Sequence, residues 1–232
     1  MSENNSTRYA IIVAGGSGKR FGSELPKQFL PLCGAPVLMR TITKFETAGA
    51  KVVVVLPQEH HEMWLAMCQE CNFPVSHLIA SGGATRFESV KNGIAAIESL
   101  AEGDLVAVHD GVRPLVSVNL INHCYDIARQ CGSAIPVISP SDSIRQVLDD
   151  GSSQQLLRSS LRAVQTPQTF IAKLLKGAYD VEESPLFTDD ASVVENAGHQ
   201  VTLVDGENTN IKITHPIDMV VATQLINDGT AS

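Results

Sequence analysis

Residues 9–20 read Tyr9-Ala-Ile-Ile-Val-Ala-Gly-Gly-Ser-Gly-Lys-Arg20, and this stretch decides the fold class. Its first five residues are a short apolar run rich in β-branched side chains, which predicts a strand. Glycines follow at once, and a strand that enters a glycine-rich turn exposes consecutive backbone N–H groups that can hold phosphate oxygens. The stretch therefore predicts an α/β protein whose first strand ends in an anion-binding turn.

Apolar runs of strand length alternate with segments of helical period along the chain. Several runs are hydrophobic on both faces, which is typical of parallel strands buried between helices. The predicted fold class is therefore α/β, with a Rossmann-like, mostly parallel sheet flanked by helices. The predicted strands are 9–13, 51–56, 75–80, 105–109, 133–138, 163–164, 201–204 and 210–213. The predicted helices are 37–48, 63–71, 87–100, 120–131, 171–181, 191–196 and 216–226.

One polar segment, residues 141–161, interrupts this alternation. Within it, Asp149-Asp150-Gly151 is a turn signal between two short segments at 144–148 and 155–157, which favours a β-hairpin arm protruding from the sheet. A flexible surface loop is the alternative. Because the chain contains no repeat and no linker, we expect a single domain over residues 1–232, with the arm at about 139–160.

Composition excludes several classes of protein. The chain has 232 residues, with 17 Lys and Arg against 25 Asp and Glu, so its net charge is −8 and it lacks the excess of basic residues that a nucleic-acid surface requires. No apolar stretch approaches the roughly 18 residues of a membrane span. The polar residues 1–8 do not read as a secretory signal. Five cysteines, an odd number, suit reduced thiols, so we expect a cytoplasmic protein that binds neither nucleic acid nor membrane.

The glycine-rich turn does not match the two common nucleotide-binding templates. A P-loop would need glycine at Val13 and a hydroxyl residue at Arg20, and a dinucleotide-binding turn would need glycine at Phe21. What remains is a turn with three nearby cations, Arg20 together with Lys19 and Lys27. This pattern favours a polyphosphate clamp; the alternative is a tight turn with solvated charges.

Further sequence blocks lie in order over nearly the whole chain. They are residues 14–21 (AGGSGKRF), 26–29 (PKQF), 81–90 (SGGATRFESV), 108–114 (VHDGVRP), 165–168 (QTPQ), 188–191 (TDDA) and 210–214 (NIKIT). Together they resemble the sugar-phosphate cytidylyltransferase family, and within it most closely the 2-C-methyl-D-erythritol 4-phosphate cytidylyltransferases.

The resemblance implies an activity. A cytidylyl group would pass from CTP to 2-C-methyl-D-erythritol 4-phosphate with release of pyrophosphate, a step of isoprenoid precursor synthesis by the non-mevalonate pathway. The partners would be CTP and a phosphorylated polyol, the cofactor Mg²⁺ or another divalent cation, and the assembly a homodimer interlocked by the arm. The alternatives are a ribitol-5-phosphate cytidylyltransferase and a nucleotide-binding protein without turnover.

Candidate site residues follow from the chemistry and from the matching blocks. In this reaction the anionic acceptor phosphate attacks the α-phosphorus of anionic CTP, so catalysis requires charge neutralisation. Arg20 and Lys27 are the expected catalytic cations. Asp110 ends the strand at 105–109, where ligands bind in open α/β sheets, and is the candidate metal carboxylate; a helix cap is its alternative role. The resemblance implies further contacts to the nucleotide through Ala14, Gly15, Gly16, Gly18, Lys19, Gly83, Ser89 and Asp110. It implies contacts to the acceptor through Arg158, Lys212, Arg113, Ser143, Thr166 and Thr188, of which Arg113, Ser143 and Arg158 would reach the partner's site.

Overall fold

The fold was analysed in a computed structural model, which describes residues 6–16 and 25–230. The strands of this part of the chain are β1 (Arg8–Val13), β2 (Pro31–Leu32), β3 (Ala35–Pro36), β4 (Lys51–Leu56), β5 (His77–Ser81), β6 (Leu105–Asp110), β7 (Ser133–Ile138), β8 (Arg145–Val147), β9 (Ser153–Gln155), β10 (Ala163–Val164), β11 (Gln168–Ile171) and β12 (Leu203–Asp205). The α-helices are α1 (Val37–Thr47), α2 (His61–Glu70), α3 (Arg86–Ala95), α4 (Val118–Cys131), α5 (Ala172–Ala178), α6 (Asp190–Asn196) and α7 (Pro216–Asn227). Short 3₁₀ turns lie at Lys27–Phe29, Gln58–His60 and Arg158–Ser160.

The main sheet confirms the predicted α/β class. Its strand order is β10-β7-β11-β6-β1-β4-β5, and β12 also pairs with β7. β1 lies between β4 and β6 and runs parallel to both, and β5 extends this parallel part beyond β4. β11 runs antiparallel between β6 and β7. The sheet is therefore parallel around β1 and mixed beyond β6.

Alternate side chains of β1 divide the core into two layers. Ala10 and Ile12 pack in the layer beneath α1, α2 and α4, whereas Tyr9 and Ile11 pack in the layer beneath α3, α5 and α6. This is the pattern of a strand buried on both faces, where both sets of side chains must be apolar. Helices on both faces thus hold the carboxyl end of β1 in place.

The structure corrects two parts of the predicted element order. Residues 210–213 form no strand; the Ile213 N–H donates to the Val112 carbonyl, and Asn210 is held by side-chain hydrogen bonds instead of a ladder. The strand β11 was not predicted, and the helix expected from residue 171 begins only at Ala172. A four-residue strand directly followed by a short helix leaves too little periodic pattern to separate the two.

The predicted arm region contains a hairpin. β8 and β9 pair antiparallel in a two-stranded sheet of their own, and Gly151 takes a positive φ of 81° at the predicted turn. All six residues of the two strands are exposed. Among the described residues, no helix combines the length and apolarity needed to cross a membrane.

Gly93 in α3 allows the helix to approach the sheet closely. A Cβ at Gly93 would lie 2.6 Å from Ile11 Cγ2 and 3.0 Å from Val55 Cγ2, whereas a Cβ at the exposed Gly177 of α5 would meet nothing within 4 Å. Gly93→Ala should therefore lower the free energy of unfolding by about 1–3 kcal/mol through overpacking. Gly177→Ala, the matched control, should raise it by about 0.5–1 kcal/mol through helix propensity. Urea unfolding measures both, and a change of the same sign in both variants would contradict this packing argument.

Candidate active site

A cleft lies at the carboxyl ends of the parallel strands, where open α/β sheets bind ligands. Backbone hydrogen bonds hold these ends together: Ala14 N–H donates to the Val55 carbonyl, and Gly111 N–H donates to the Val13 carbonyl. The cleft has a volume of about 520 Å³. It is lined by Val13, Ala14, Gly15, Gly16, Lys27, Gln28, Gly83, Ala84, Thr85, Arg86, Ser89, Asp110, Val112, Lys212 and Thr214.

The glycine-rich turn enters this cleft directly after β1. Ala14 is buried, whereas Gly15 and Gly16 are exposed and line the cleft. A Cβ on Gly111 would lie 2.9 Å from the Ala14 Cβ, so the chain after β6 can approach the turn this closely only with glycine at that position. Three predicted residues of the turn, Gly18, Lys19 and Arg20, lie outside the described residues.

Lys27 is brought to the same cleft by the 3₁₀ turn Lys27–Phe29. Phe29 anchors the turn: it is buried and stacks on Trp64 of α2, with ring centroids 5.9 Å apart. Lys27 Cε lies 4.0 Å from the position of a Cβ on Gly16. The predicted catalytic lysine therefore lies across the glycine-rich turn.

The second glycine loop follows β5 and leads into α3. Ser89 Oγ accepts a hydrogen bond from Gly83 N–H at 3.1 Å and donates to the Thr85 carbonyl at 2.8 Å. A Cβ on Gly83 would overlap Glu88, so only glycine fits there. Two of the predicted nucleotide-binding residues, Gly83 and Ser89, are thus hydrogen-bonded to each other on the cleft wall, and Ser89 Oγ keeps acceptor capacity for a further donor.

Asp110 forms a buried charge cluster at the end of β6. Its Oδ2 contacts Arg113 Nε at 3.0 Å and Lys212 Nζ at 3.1 Å. Burial alone would raise the pKa of the Asp110 carboxyl, but Lys212 and then Arg113 outweigh burial and hold the pKa well below its ordinary value. The cluster combines one carboxylate with two cations that the sequence separates by 99 positions, and it lies beside the glycine turn.

Neutral His109 supports this cluster from inside the sheet. Its Nε2 lies 3.2 Å from the Arg113 carbonyl, which only accepts, so Nε2 carries the hydrogen and Nδ1 accepts from Thr166 Oγ1 at 3.0 Å. Burial lowers the pKa of His109 to about 3. The Thr166 hydroxyl also accepts the Asp110 N–H at 3.1 Å. Thr166 is buried and fixes the end of β6 through these bonds. Its predicted contact with the acceptor substrate stays a prediction.

Buried amides place the segment that carries Lys212. Asn210 Nδ2 donates to the Thr166 carbonyl at 2.8 Å, and the Asn210 carbonyl accepts from Arg113 Nη1 at 2.9 Å. Gln165 Nε2 donates to the Glu207 carbonyl at 2.8 Å, and its Oε1 accepts from Glu207 N–H at 3.1 Å. These bonds explain why residues 210–213 form no strand. The blocks at 165–168 and 210–214 are therefore joined in space.

An ion pair that sequence reasoning missed connects the start of α3, beside the cleft, with the start of α6. Arg86, at the start of α3, makes a bidentate contact with the fully buried Asp190 at 3.0 and 2.6 Å, and Tyr179 Oη donates to the same carboxylate at 2.6 Å. Asp190 begins α6, two positions after the predicted acceptor residue Thr188, which is exposed and outside the cleft lining. Both partners lie inside matching sequence blocks, but only the fold shows that they meet.

The predicted acceptor residues of the arm are not brought to this chain's cleft. Ser143 is exposed at the base of the hairpin, and Arg158 is exposed with Nη1 donating to the Ser141 carbonyl at 2.6 Å. Arg113 is bound to Asp110 and to the Asn210 carbonyl of its own chain, beside the cleft. Its contact with the acceptor in a partner's site stays a prediction.

The donor set fits a magnesium ion that is held mainly by phosphates. Both ion pairs of Asp110 use Oδ2, so Oδ1 makes no contact with another described residue. Within the described ranges, no three His, Cys, Asp or Glu side chains come together as metal ligands. One available carboxylate without a protein cage is the arrangement typical of Mg²⁺ bound with substrate phosphates and water.

Taken with the fold, a glycine turn crossed by a lysine and an adjacent cation cluster define an α/β nucleotidyltransferase. The 2-C-methyl-D-erythritol 4-phosphate cytidylyltransferase family matches residues 9–228. A relative of that name from Bacteroides thetaiotaomicron is 49% identical over 218 residues, 93% of this chain and 98% of the relative. This chain therefore belongs to the 2-C-methyl-D-erythritol 4-phosphate cytidylyltransferase family.

Solved structures agree with this assignment. The 4-diphosphocytidyl-2C-methyl-D-erythritol synthase of Anaerococcus prevotii matches with a TM-score of 0.80 and 26% identity, covering 96% of this chain and 99% of that chain. The 2-C-methyl-D-erythritol 4-phosphate cytidylyltransferase of Thermus thermophilus matches with a TM-score of 0.74 and 31% identity, covering 95% of this chain and 100% of that chain.

Proposed function

We propose that this protein transfers the cytidylyl group of CTP to 2-C-methyl-D-erythritol 4-phosphate and releases pyrophosphate, a step of isoprenoid precursor synthesis. The observation that carries the proposal is the family match over residues 9–228, because it includes every sequence block that lines the cleft. The cleft supports it chemically, since one wall carries the glycine turn and Lys27 while the other carries Lys212 and Arg113 beside Asp110.

The cytosine base fits the wall formed by the loop after β5. Cytosine presents an amino donor, a ring-nitrogen acceptor and one carbonyl acceptor, so it must be recognised by matching polar groups in a small pocket. Ser89 Oγ retains acceptor capacity, and backbone groups of Ala14 and Gly83 lie on the same wall. A purine is larger and presents a different edge. This wall therefore accounts for a preference for CTP.

The chemical step joins two anions. A phosphate oxygen of the acceptor attacks the α-phosphorus of CTP in line, the new P–O bond forms, and the bond from that phosphorus to the bridging oxygen breaks. The bonding electrons leave with pyrophosphate. Lys27, across the glycine turn, neutralises charge on the α-phosphate and on the departing oxygen, while backbone N–H groups of the turn hold the triphosphate.

The acceptor phosphate would approach from the side of Asp110. Lys212 Nζ is partly exposed there, with 44% of its side chain accessible, and Arg113 supports it from a more buried position. These cations would orient the acceptor oxygen toward the α-phosphorus, which converts an encounter of two anions into a positioned reaction. Thr188 is exposed outside the cleft lining, two positions before the buried Asp190, and is a further candidate contact.

A divalent cation, Mg²⁺ in the first instance, completes the proposal. Asp110 Oδ1 would hold it, and when bound it would shield the negative charge of the triphosphate oxygens. We also propose a cytoplasmic location, which is supported by five cysteines that are all free thiols.

We propose that the working unit is a homodimer joined by the arm. An isolated two-stranded hairpin is marginally stable in water, and this one exposes apolar side chains, among them Val147 with 73% and Leu157 with 70% of its surface accessible. A second copy of the chain is the partner that would cover them. Ser143 and Arg158 would then contribute to the acceptor site of the partner.

A pyrophosphate-release assay with two acceptors tests the activity. With CTP and Mg²⁺, 2-C-methyl-D-erythritol 4-phosphate should support turnover and ribitol 5-phosphate should not, and removal of the metal by a chelator should stop the reaction until Mg²⁺ is restored. Preference for ribitol 5-phosphate would overturn the acceptor assignment. CTP binding without pyrophosphate release from either acceptor would show a nucleotide-binding protein instead.

Lys27→Ala tests the catalytic role of the lysine. Removing one preorganised charge that acts on the transition state should lower kcat by about 10²–10³-fold with a smaller change in the dissociation constant for CTP. Lys173→Ala is the control, because Lys173 is an exposed lysine paired with Glu102 and lies outside the cleft lining. Steady-state kinetics measure both variants, and an unchanged kcat for Lys27→Ala would refute the role.

Mixed dimers test whether the arm acts in trans. Lys27→Ala and Arg158→Ala should each be nearly inactive alone, since each lacks a cation required at the site. In a mixed dimer one site would combine an intact Lys27 with the intact Arg158 of the other subunit. Co-expression should therefore restore about a quarter of wild-type activity, because half of the dimers are mixed and each has one intact site. No recovery, or an active monomer in sedimentation, would contradict the arrangement.

A further inference from the structure

Gln28 is a buried amide directly beside the proposed catalytic lysine. It is 1% exposed, and its Nε2 donates to the Ala14 carbonyl at 2.7 Å and makes a longer contact with the Gly16 carbonyl at 3.4 Å. Both contacts are to acceptors, so the amide orientation is fixed by its surroundings. Gln28 Oε1 is buried without a hydrogen-bond partner.

The bond to Ala14 fixes which way the glycine turn faces. In a planar trans peptide the carbonyl and the following N–H point in opposite directions. Because the Ala14 carbonyl points to Gln28 inside the protein, the Gly15 N–H points away from Gln28. Gly15 is exposed and lines the cleft. The Ala14 N–H, which belongs to the preceding peptide, is bound to the Val55 carbonyl, so Ala14 is held at both its N–H and its carbonyl.

The same short turn determines where Lys27 lies relative to the glycines. Phe29 holds the turn to the core through Trp64, and Gln28 holds it to the glycine turn. Lys27 Cε lies 4.0 Å from the position of a Cβ on Gly16. One three-residue unit thus connects the core, the phosphate-binding backbone and the proposed catalytic amine.

We propose that Gln28 is a positioning residue that turns the Ala14 and Gly16 carbonyls inward, so that the Gly15 N–H faces the triphosphate of CTP and Lys27 stays aligned with it. This inference rests on the proposed function. The unpartnered Oε1 separates it from a packing role, since an apolar side chain of the same size would fill the space without burying a lone acceptor. The Gln28 side chain is therefore required as a hydrogen-bond donor, and its acceptors are the carbonyls of the glycine turn.

Gln28→Met removes the donor and keeps the volume. The substitution removes the unpartnered buried Oε1, which stabilises the protein, but leaves the Ala14 carbonyl without its donor, which destabilises it. Because these two effects offset, the melting temperature should stay within a few degrees of wild type. The dissociation constant for CTP should rise about tenfold or more, kcat should fall, and the KM for the acceptor should change less than twofold. Calorimetric titration with CTP and steady-state kinetics measure these values. Wild-type CTP affinity and kcat in Gln28→Met would overturn the proposal.

Gln28→Glu gives an independent readout. A carboxylate of the same shape cannot donate to either carbonyl, whereas a protonated carboxyl can donate its one hydrogen to the Ala14 carbonyl. The activity of Gln28→Glu relative to wild type should therefore increase as the pH falls, which a merely structural role would not produce. A constant ratio across the pH range would count against the proposal, and this measurement remains decisive should Gln28→Met fold poorly.

Gln168→Met is the matched control. Gln168 is equally buried, and it donates to Asp189 Oδ2 and accepts from Ala191 N–H on the opposite side of the cleft. Gln168→Met should leave the dissociation constant for CTP unchanged. If both variants weakened CTP binding equally, Gln28 would have only a general packing role. If the wild type released no pyrophosphate with either acceptor, the proposed function would fail, whereas CTP titration of wild type and Gln28→Met would still decide the positioning role.

Discussion

The buried carboxylate of Asp110 is the constraint on which the site depends. A charge at the end of a buried strand is costly unless cations and hydrogen bonds match it. Arg113 comes from the turn after β6, but Lys212 lies 102 positions after Asp110 in the sequence. The segment that carries Lys212 must therefore pass beside β6 for the charge of Asp110 to be compensated. The requirement to neutralise one carboxylate therefore brings the C-terminal part of the chain to the glycine turn.

Uncharged side chains hold the backbone around the Asp110 cluster and the cleft, where additional charges would upset the charge balance. His109 has no charge at neutral pH because burial lowers its pKa to about 3, and it binds Thr166 and the Arg113 carbonyl as a fixed neutral tautomer. Asn210 and Gln28 hold backbone carbonyls on the two sides of the cleft in the same way. Each of these amides has a buried oxygen without a partner. An unpartnered buried oxygen lowers stability. The two amides therefore give up some stability in order to place their N–H donors on backbone carbonyls at the cleft.

Much of the fold was predictable because β-branched runs and helical periods are local signals. The strands 51–56 and 133–138 have the bounds that the sequence predicts, and the first of them pairs with β1 in the parallel part of the sheet. β11 was missed because a four-residue strand directly before a short helix has too little periodic pattern. The strand predicted at 210–213 was wrong because side-chain hydrogen bonds to a distant segment hold its backbone. Ser89 and Lys212 reach the cleft as expected from the resemblance. The roles of Gln28 and Arg86 were missed although both lie in matching blocks, because their partners Ala14 and Asp190 are visible only in the fold.

The net charge of −8 does not oppose the binding of two phosphorylated substrates. At physiological ionic strength, exposed charges more than about 8–10 Å apart are largely screened, so the acidic residues spread over the surface have little effect inside the cleft. The Asp110, Arg113 and Lys212 cluster carries one net positive charge, and Asp110 also reduces the repulsion between its two cations. Because those cations are already fixed by the carboxylate, an anion that enters need not order them. A mostly acidic protein can therefore present a preorganised positive site to small anions.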